Sequence, residues 1–144
     1  MGNQDPSDRI LSLMSGKLQA SYGYIRRRMA ESGLEGLDVS HGDILWQLYA
    51  HGGRTMSELA HSIGRDKSTV TALVSKMEAR GLVRRERGRA DCRVAVVALT
   101  ELGASYREAF LGISAEIRER LWAGFSESDR QTLARLLERL GESE

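Results

Sequence analysis

The stretch Met56–Met77, MSELAHSIGRDKSTVTALVSKM, constrains the fold more than any other part of the chain. Two short amphipathic runs meet at Gly64-Arg65-Asp66. A sharp corner between helices needs a residue that accepts positive φ, and glycine does so without a Cβ penalty. Ala60 supplies the small side chain that two closely crossing helices require. Val70 faces back into the corner with Leu59 and Ile63. This spacing of Ala, Gly and Val is that of a helix-turn-helix. In the second run Val70, Leu73, Val74 and Met77 fall together at helical spacing, as a core-facing stripe does. Ser68, Thr71, Ala72, Ser75 and Lys76 lie mostly on the other side, which is small, polar and free of carboxylates. Such a face can enter a groove about 12 Å wide and exchange hydrogen bonds with base edges. The backbone N–H groups near Asp66, Lys67 and Ser68 could also receive a phosphate.

Cap and stop residues divide most of the remaining chain into helices. The first is predicted from Asp5-Pro6 to about Ser32, with Gly33 as its stop. The second opens at Ser40, with Asp43 in the capping-box position, and ends before Gly52-Gly53. The third opens at Thr55 and closes at Gly64; the fourth runs from Asp66 to Gly81. The fifth follows Thr100 as one helix to near Gly124, and the sixth runs from Ser126 to Gly141. Between the fourth and fifth, residues 82–87 and 93–99 are rich in β-branched side chains and flank a turn-forming segment. They read as a β-hairpin. Its second strand is apolar on both faces, so its buried side is undecided. The fold class is therefore mainly α with a small β-hairpin wing. Residues 35–99 form the winged helix-turn-helix lobe, and 1–34 and 100–144 are the dimerisation helices.

Net charge is only +1, but it is segregated. From Arg54 to Arg93 there are ten basic and five acidic side chains, a net of +5; the rest carries eleven and fifteen, a net of −4. A basic middle between acidic flanks favours a polyanion partner. Arg84, Arg85, Arg87, Arg89 and Arg93 concentrate this charge on the hairpin. Guanidinium groups pair with phosphate and fit a narrow minor groove. Asp91, two residues before Arg93, could hold that guanidinium in one direction.

A single cysteine excludes an internal disulfide. The three histidines are ten residues apart, and no close Cys or carboxylate group joins them, so no metal site is expected. No phosphate loop or nucleophile–base pattern appears, so neither a cofactor nor an enzymatic activity is expected. No apolar run approaches the roughly 18 residues that would span a bilayer, and no signal-peptide pattern opens the chain. A soluble cytoplasmic protein with no membrane partner is expected.

DKSTVTALVSKMEARGLV, then Asp91-Cys92-Arg93, then Leu99-Thr100-Glu101-Leu102-Gly103, resembles the MarR family of bacterial transcriptional regulators over nearly the whole chain. The resemblance implies a winged helix-turn-helix regulator, homodimeric through its terminal helices, that binds double-stranded DNA. It puts Lys67, Ser68, Thr69, Thr71, Ser75 and Lys76 on or beside the recognition surface. It puts Arg87, Arg89, Asp91 and Arg93 in the wing, with Arg93 entering the minor groove. A two-fold dimer implies a pseudo-palindromic operator. The expected function is a repressor released by a small aromatic effector, with Tyr22, Arg26, His41, Trp46 and Tyr49 as candidate pocket residues. Two alternatives stand beside it. One is a redox-sensing regulator acting through Cys92, whose basic neighbours would favour a thiolate. The other is a winged-helix protein-interaction module without nucleic acid.

Overall fold

A computed structural model describes residues 5–88 and 90–141. The helices are α1 (Ile10–Glu31), α2 (Val39–His51), α3 (Met56–Ile63), α4 (Lys67–Ala79), α5 (Glu101–Ser105), α6 (Arg107–Leu121) and α7 (Glu127–Arg139). The strands are β1 (Arg54–Thr55), β2 (Val83–Arg87) and β3 (Ala95–Leu99). Met1–Ile113 and Ser114–Glu144 form two compact units, and the division falls within α6.

The predicted corner is present. α3 ends at Gly64 with φ 67° and ψ 34°, the left-handed region, and Arg65 N–H returns to Ala60 O at 3.1 Å. Asp66 caps α4, and Thr55 Oγ1 caps α3 by accepting from Glu58 N–H at 3.1 Å. The Glu58 carboxylate does not complete a capping box. It turns to Arg54, 3.4 Å away.

Three elements depart from the sequence reading. The chain begins with one 3₁₀ turn at Pro6–Arg9, capped by Asp5, before α1 starts. Tight turns of this kind commonly open helices. α2 opens at Asp38 and not at Ser40. The Asp38 carboxylate accepts from Ser40 N–H at 3.0 Å, and Asp38 N–H donates to His41 Nδ1 at 3.1 Å. Histidine thus takes the return position usually held by Glu or Gln, which hid the cap.

The fifth predicted helix is two helices, α5 and α6, broken at Tyr106. α5 is pinned to the start of β2. Thr100 N–H donates to Leu82 O at 3.1 Å, and Thr100 Oγ1 accepts from Gly103 N–H at 3.0 Å. The buried Tyr49 hydroxyl donates to Gly103 O at 2.7 Å. These contacts hold the short helix against the sheet, and the chain leaves on a new axis.

The sheet is antiparallel with order β1-β3-β2. β1 is too short to show a period, and the sequence reading missed it. It pairs Arg54 with Val97 and Thr55 with Val96. β3 is therefore the central strand, which suits its run of apolar residues. The strand begins at Ala95; Arg93 and Val94 lie in the turn. The buried face of β3 is set at Val97, which is fully covered.

The core lies within the first unit. Met29 of α1 and Ile44, Leu45 and Leu48 of α2 meet Leu59 of α3 and Val70, Val74 and Met77 of α4 there. Leu82, Val83 and Val97 close it from the sheet. In the second unit Ser126 and Asp129 form the predicted reciprocal cap of α7. Leu133, Leu136, Leu137 and Leu140 of α7 are exposed, as are Ile10, Leu11, Leu13 and Leu18 of α1.

His41 is 4% exposed, and burial holds its pKa below the ordinary histidine value. Asp38 opposes that shift, while Lys76 and Arg80 of α4 add to it. The unfolded chain binds the proton more readily, so this group's contribution is complete above about pH 6.5 and is lost as pH falls toward the folded pKa. Melting temperature is expected to drop between pH 7 and pH 5, with a shallower drop in His41→Gln. Identical slopes in the two proteins would contradict this.

Candidate nucleic-acid interface

α4 follows the corner with its apolar stripe inward and its polar face outward. Asp66 organises the first turn of that face. Its carboxylate accepts from Thr69 N–H at 2.7 Å, from Ser68 Oγ at 2.6 Å and from Thr69 Oγ1 at 2.9 Å. The Ser68 hydroxyl, then the Thr69 N–H and hydroxyl, lower the Asp66 pKa to about 2. An ionised carboxylate therefore already occupies part of this helix terminus, which weakens the expectation of a phosphate there.

Further along, Thr71 Oγ1 donates to Lys67 O at 2.8 Å and Ser75 Oγ donates to Thr71 O at 2.9 Å. All four hydroxyl protons are held within the helix and its cap. The outward face thus presents oxygen lone pairs, which can accept from base amino groups. Lys67 and Ser68 are exposed, and Thr69 and Thr71 are half-buried.

Two expected surface residues are otherwise engaged. The Lys76 ammonium donates to Gly36 O, in the loop between α1 and α2. Ser75 Oγ accepts from Arg85 Nη2 of β2 at 2.8 Å. Arg80, which the sequence reading did not single out, joins Lys76 on that loop by donating to Glu35 O and Gly33 O. Lysine and arginine four residues apart share a helix face, so this pairing had a signal; its target carbonyls did not.

The wing is a turn tied by Gly88 N–H to Val94 O at 2.8 Å and Val94 N–H to Asp91 O at 3.1 Å. Gly88 is needed there, because a Cβ would stand 2.9 Å from Asp91 O. Arg93 projects from this turn with its side chain 90% exposed. Its Nε and Nη2 donate to the two Asp91 carboxylate oxygens at 3.1 and 3.2 Å. The Arg93 guanidinium and then its backbone N–H hold the Asp91 carboxyl below the usual range. The carboxylate thus fixes an arginine that is nearly free of other cover. Arg87 is exposed on β2, and Arg89 lies outside the described residues.

Arg84 and Arg85 are less available than the sequence implied. Arg84 donates to Leu99 O at 2.6 Å across the hairpin, and Arg85 leans on α4. Cys92 is exposed in the wing turn. Among the described residues no group of three His, Cys, Asp or Glu side chains could hold a metal ion.

The five candidate pocket residues are differently employed. His41 is buried in the cap of α2, and Tyr49 spends its hydroxyl on Gly103 and its ring on Phe110, 5.5 Å between centroids. Tyr22 is half-buried, while Arg26 and Trp46 are exposed. Tyr22, Arg26 and Trp46 thus keep their functional groups available, whereas Tyr49 and the Nδ1 of His41 serve the fold.

A tight two-helix corner followed by a hairpin wing in a three-stranded sheet defines a winged helix-turn-helix protein. The MarR family pattern matches residues 35–93. Through this segment the chain belongs to the MarR family.

The HTH-type transcriptional repressor IacR of Pseudomonas putida is 35% identical over 103 residues, covering 71% of this chain and 61% of that protein. The aligned part of the chain spans little more than six tenths of the first curated relatives. Two solved structures share the fold along nearly the whole chain. CouR from Rhodococcus jostii RHA1, bound to p-coumaroyl-CoA, has a TM-score of 0.80 at 24% identity and covers 99% of this chain and 98% of its own. Bordetella bronchiseptica BpsR, whose DNA binding is regulated by 6-hydroxynicotinic acid, has a TM-score of 0.79 at 20% identity, with coverage of 99% and 100%. Among the described residues no helix is long and apolar enough to cross a membrane.

Proposed function

We propose that this chain is a sequence-specific regulator of transcription that binds double-stranded DNA as a homodimer. The carrying observation is the pair of features on one lobe. A carboxylate-free outer face on α4 follows the corner, and a nearly bare Arg93 is aimed by Asp91. The helix suits the major groove and the arginine a narrow minor groove. Lys67, Ser68, Thr69 and Thr71 supply the first contact set; Arg87, Arg89 and Arg93 supply the second.

The dimer is favoured by the exposed apolar stripes of α1 and α7, which a second copy would cover. Two recognition helices related by a two-fold axis require half-sites about one DNA turn apart.

The protein works by binding, as a repressor that releases its operator when a small aromatic acid binds. Tyr22, Arg26 and Trp46 combine aromatic surface with a cation, which fits that ligand class. The relatives named above support it, since one is a repressor and another is controlled by an aromatic acid. Release requires the ligand to favour a DNA-incompetent arrangement by about 1–3 kcal/mol.

Fluorescence anisotropy of labelled duplexes across a salt series tests the DNA reading. Log affinity should fall steeply and linearly with log salt, since neutralised phosphates release counterions. Affinity that is absent, or indifferent to salt, would favour a protein-interaction module instead.

A further inference from the structure

We propose that Arg85 is a positioning residue that locks the wing to the recognition helix, so that Arg93 and α4 engage one duplex together. This inference rests on the DNA-binding reading. Three observations carry it.

The first is the direction of the hydrogen bonds. Arg85 Nη2 donates to Ser75 Oγ at 2.8 Å, and Ser75 Oγ in turn donates to Thr71 O at 2.9 Å. The serine proton is committed to its own helix, so its lone pairs are free to receive the guanidinium. The chain Arg85–Ser75–Thr71 therefore runs from the sheet into the recognition helix without a competing arrangement. Arg85 Nε also lies 3.7 Å from the Glu78 carboxylate, one turn further along α4. A planar guanidinium held at two points resists rotation better than one held at a single point.

The second is leverage. Arg85 sits in the middle of β2, opposite Val97 of the central strand. Behind it Val83 is buried in the core; beyond it Glu86 and Arg87 pair with Val96 and Ala95 and lead to the exposed tip. Beyond Val83 the β2 residues are exposed. Two-stranded ribbons twist readily, so a tie at mid-length controls where the tip points.

The third is the division of labour among the arginines. Arg93 is 90% exposed and paired only to its own turn, whereas the Arg85 side chain is 36% exposed and spans two elements. Arg85 and Ser75 thus serve the relation between the two contact surfaces, and Ser75 leaves the set that touches bases.

A double-mutant cycle tests this on the full-length protein with a duplex obtained by selection. Arg85→Ala should weaken binding roughly tenfold with little change in melting temperature, and Ser75→Ala should reproduce part of that loss. Arg93→Ala should then cost much less in the Arg85→Ala background than in the wild type, because a misdirected tip has little left to lose. Arg85→Lys should rescue only partly, since an ammonium cannot span both partners. Losses that simply multiply would overturn the proposal. So would a loss in Arg85→Ala confined to a salt slope smaller by about one, the mark of a direct phosphate contact.

Hydrogen exchange on the free protein supplies a readout independent of DNA. Arg85→Ala should speed exchange at the Gly88 and Val94 amides, and unchanged rates there would also overturn the proposal. Wild-type protein indifferent to every duplex would overturn the DNA-binding reading instead, and the exchange rates would still decide whether Arg85 holds the wing.

Discussion

Replacing Gly103 with alanine is expected to destabilise the fold by about 3 kcal/mol, roughly 10 °C in Tm for a chain of this size. An added Cβ would stand 2.0 Å from Leu82 O and 3.0 Å from Leu82 C, both backbone atoms. The oxygen cannot retreat freely, because Thr100 N–H already donates to it. Nor can α5 back away without losing the Tyr49 hydroxyl on Gly103 O. Backbone is therefore pressed on backbone from both sides, and no flexible side chain absorbs the clash. Gly112 is the control. It lies inside α6 with nothing within 4 Å of its virtual Cβ. Gly112→Ala should raise stability by about 0.5–1 kcal/mol, the usual gain of alanine over glycine within a helix. Thermal melts of both variants check the pair, and a normal Tm for Gly103→Ala would contradict the described contact.

The largest expected effect on binding is that of Arg93→Ala. Each wing contributes one guanidinium, and removal of a specific arginine contact costs on the order of tenfold in affinity. Two wings acting on two half-sites should together lose roughly a hundredfold. The melting temperature should barely change, because Arg93 touches only Asp91 and the solvent. Arg93→Lys should not restore binding, since an ammonium can neither keep the two-point hold on Asp91 nor fill a narrow groove as a flat group. Titration of each variant against the same duplex measures this. Unchanged affinity for Arg93→Ala would place the wing outside the groove.

Much of this architecture was legible because it is local. Gly64, Asp66 and Gly81 each carry a backbone requirement that a neighbouring residue cannot share, so the corner and both ends of α4 could be read directly. The Asp91–Arg93 pair was legible for the same reason: two residues apart, it needs no tertiary information. What escaped depends on distant contacts. The break at Tyr106 follows from Gly103 resting against Leu82, twenty-one residues earlier. β1 has only two residues and exists because β3 offers an edge. The availability of Ser75 and Lys76 also could not be judged from the helix alone. Their partners, Arg85 and Gly36, sit on other elements, and helical spacing says only which way a side chain leaves the backbone. His41 shows the same limit: its spacing suggested a pocket wall, while burial made it a cap.

Selection from a pool of random duplexes tests the central claim most directly. The purified protein should enrich an inverted repeat whose half-sites are centred about one helical turn apart, with A·T-rich flanks where the wings reach. Recovery of unrelated sequences with no shared pattern, all held equally weakly by folded protein, would contradict it.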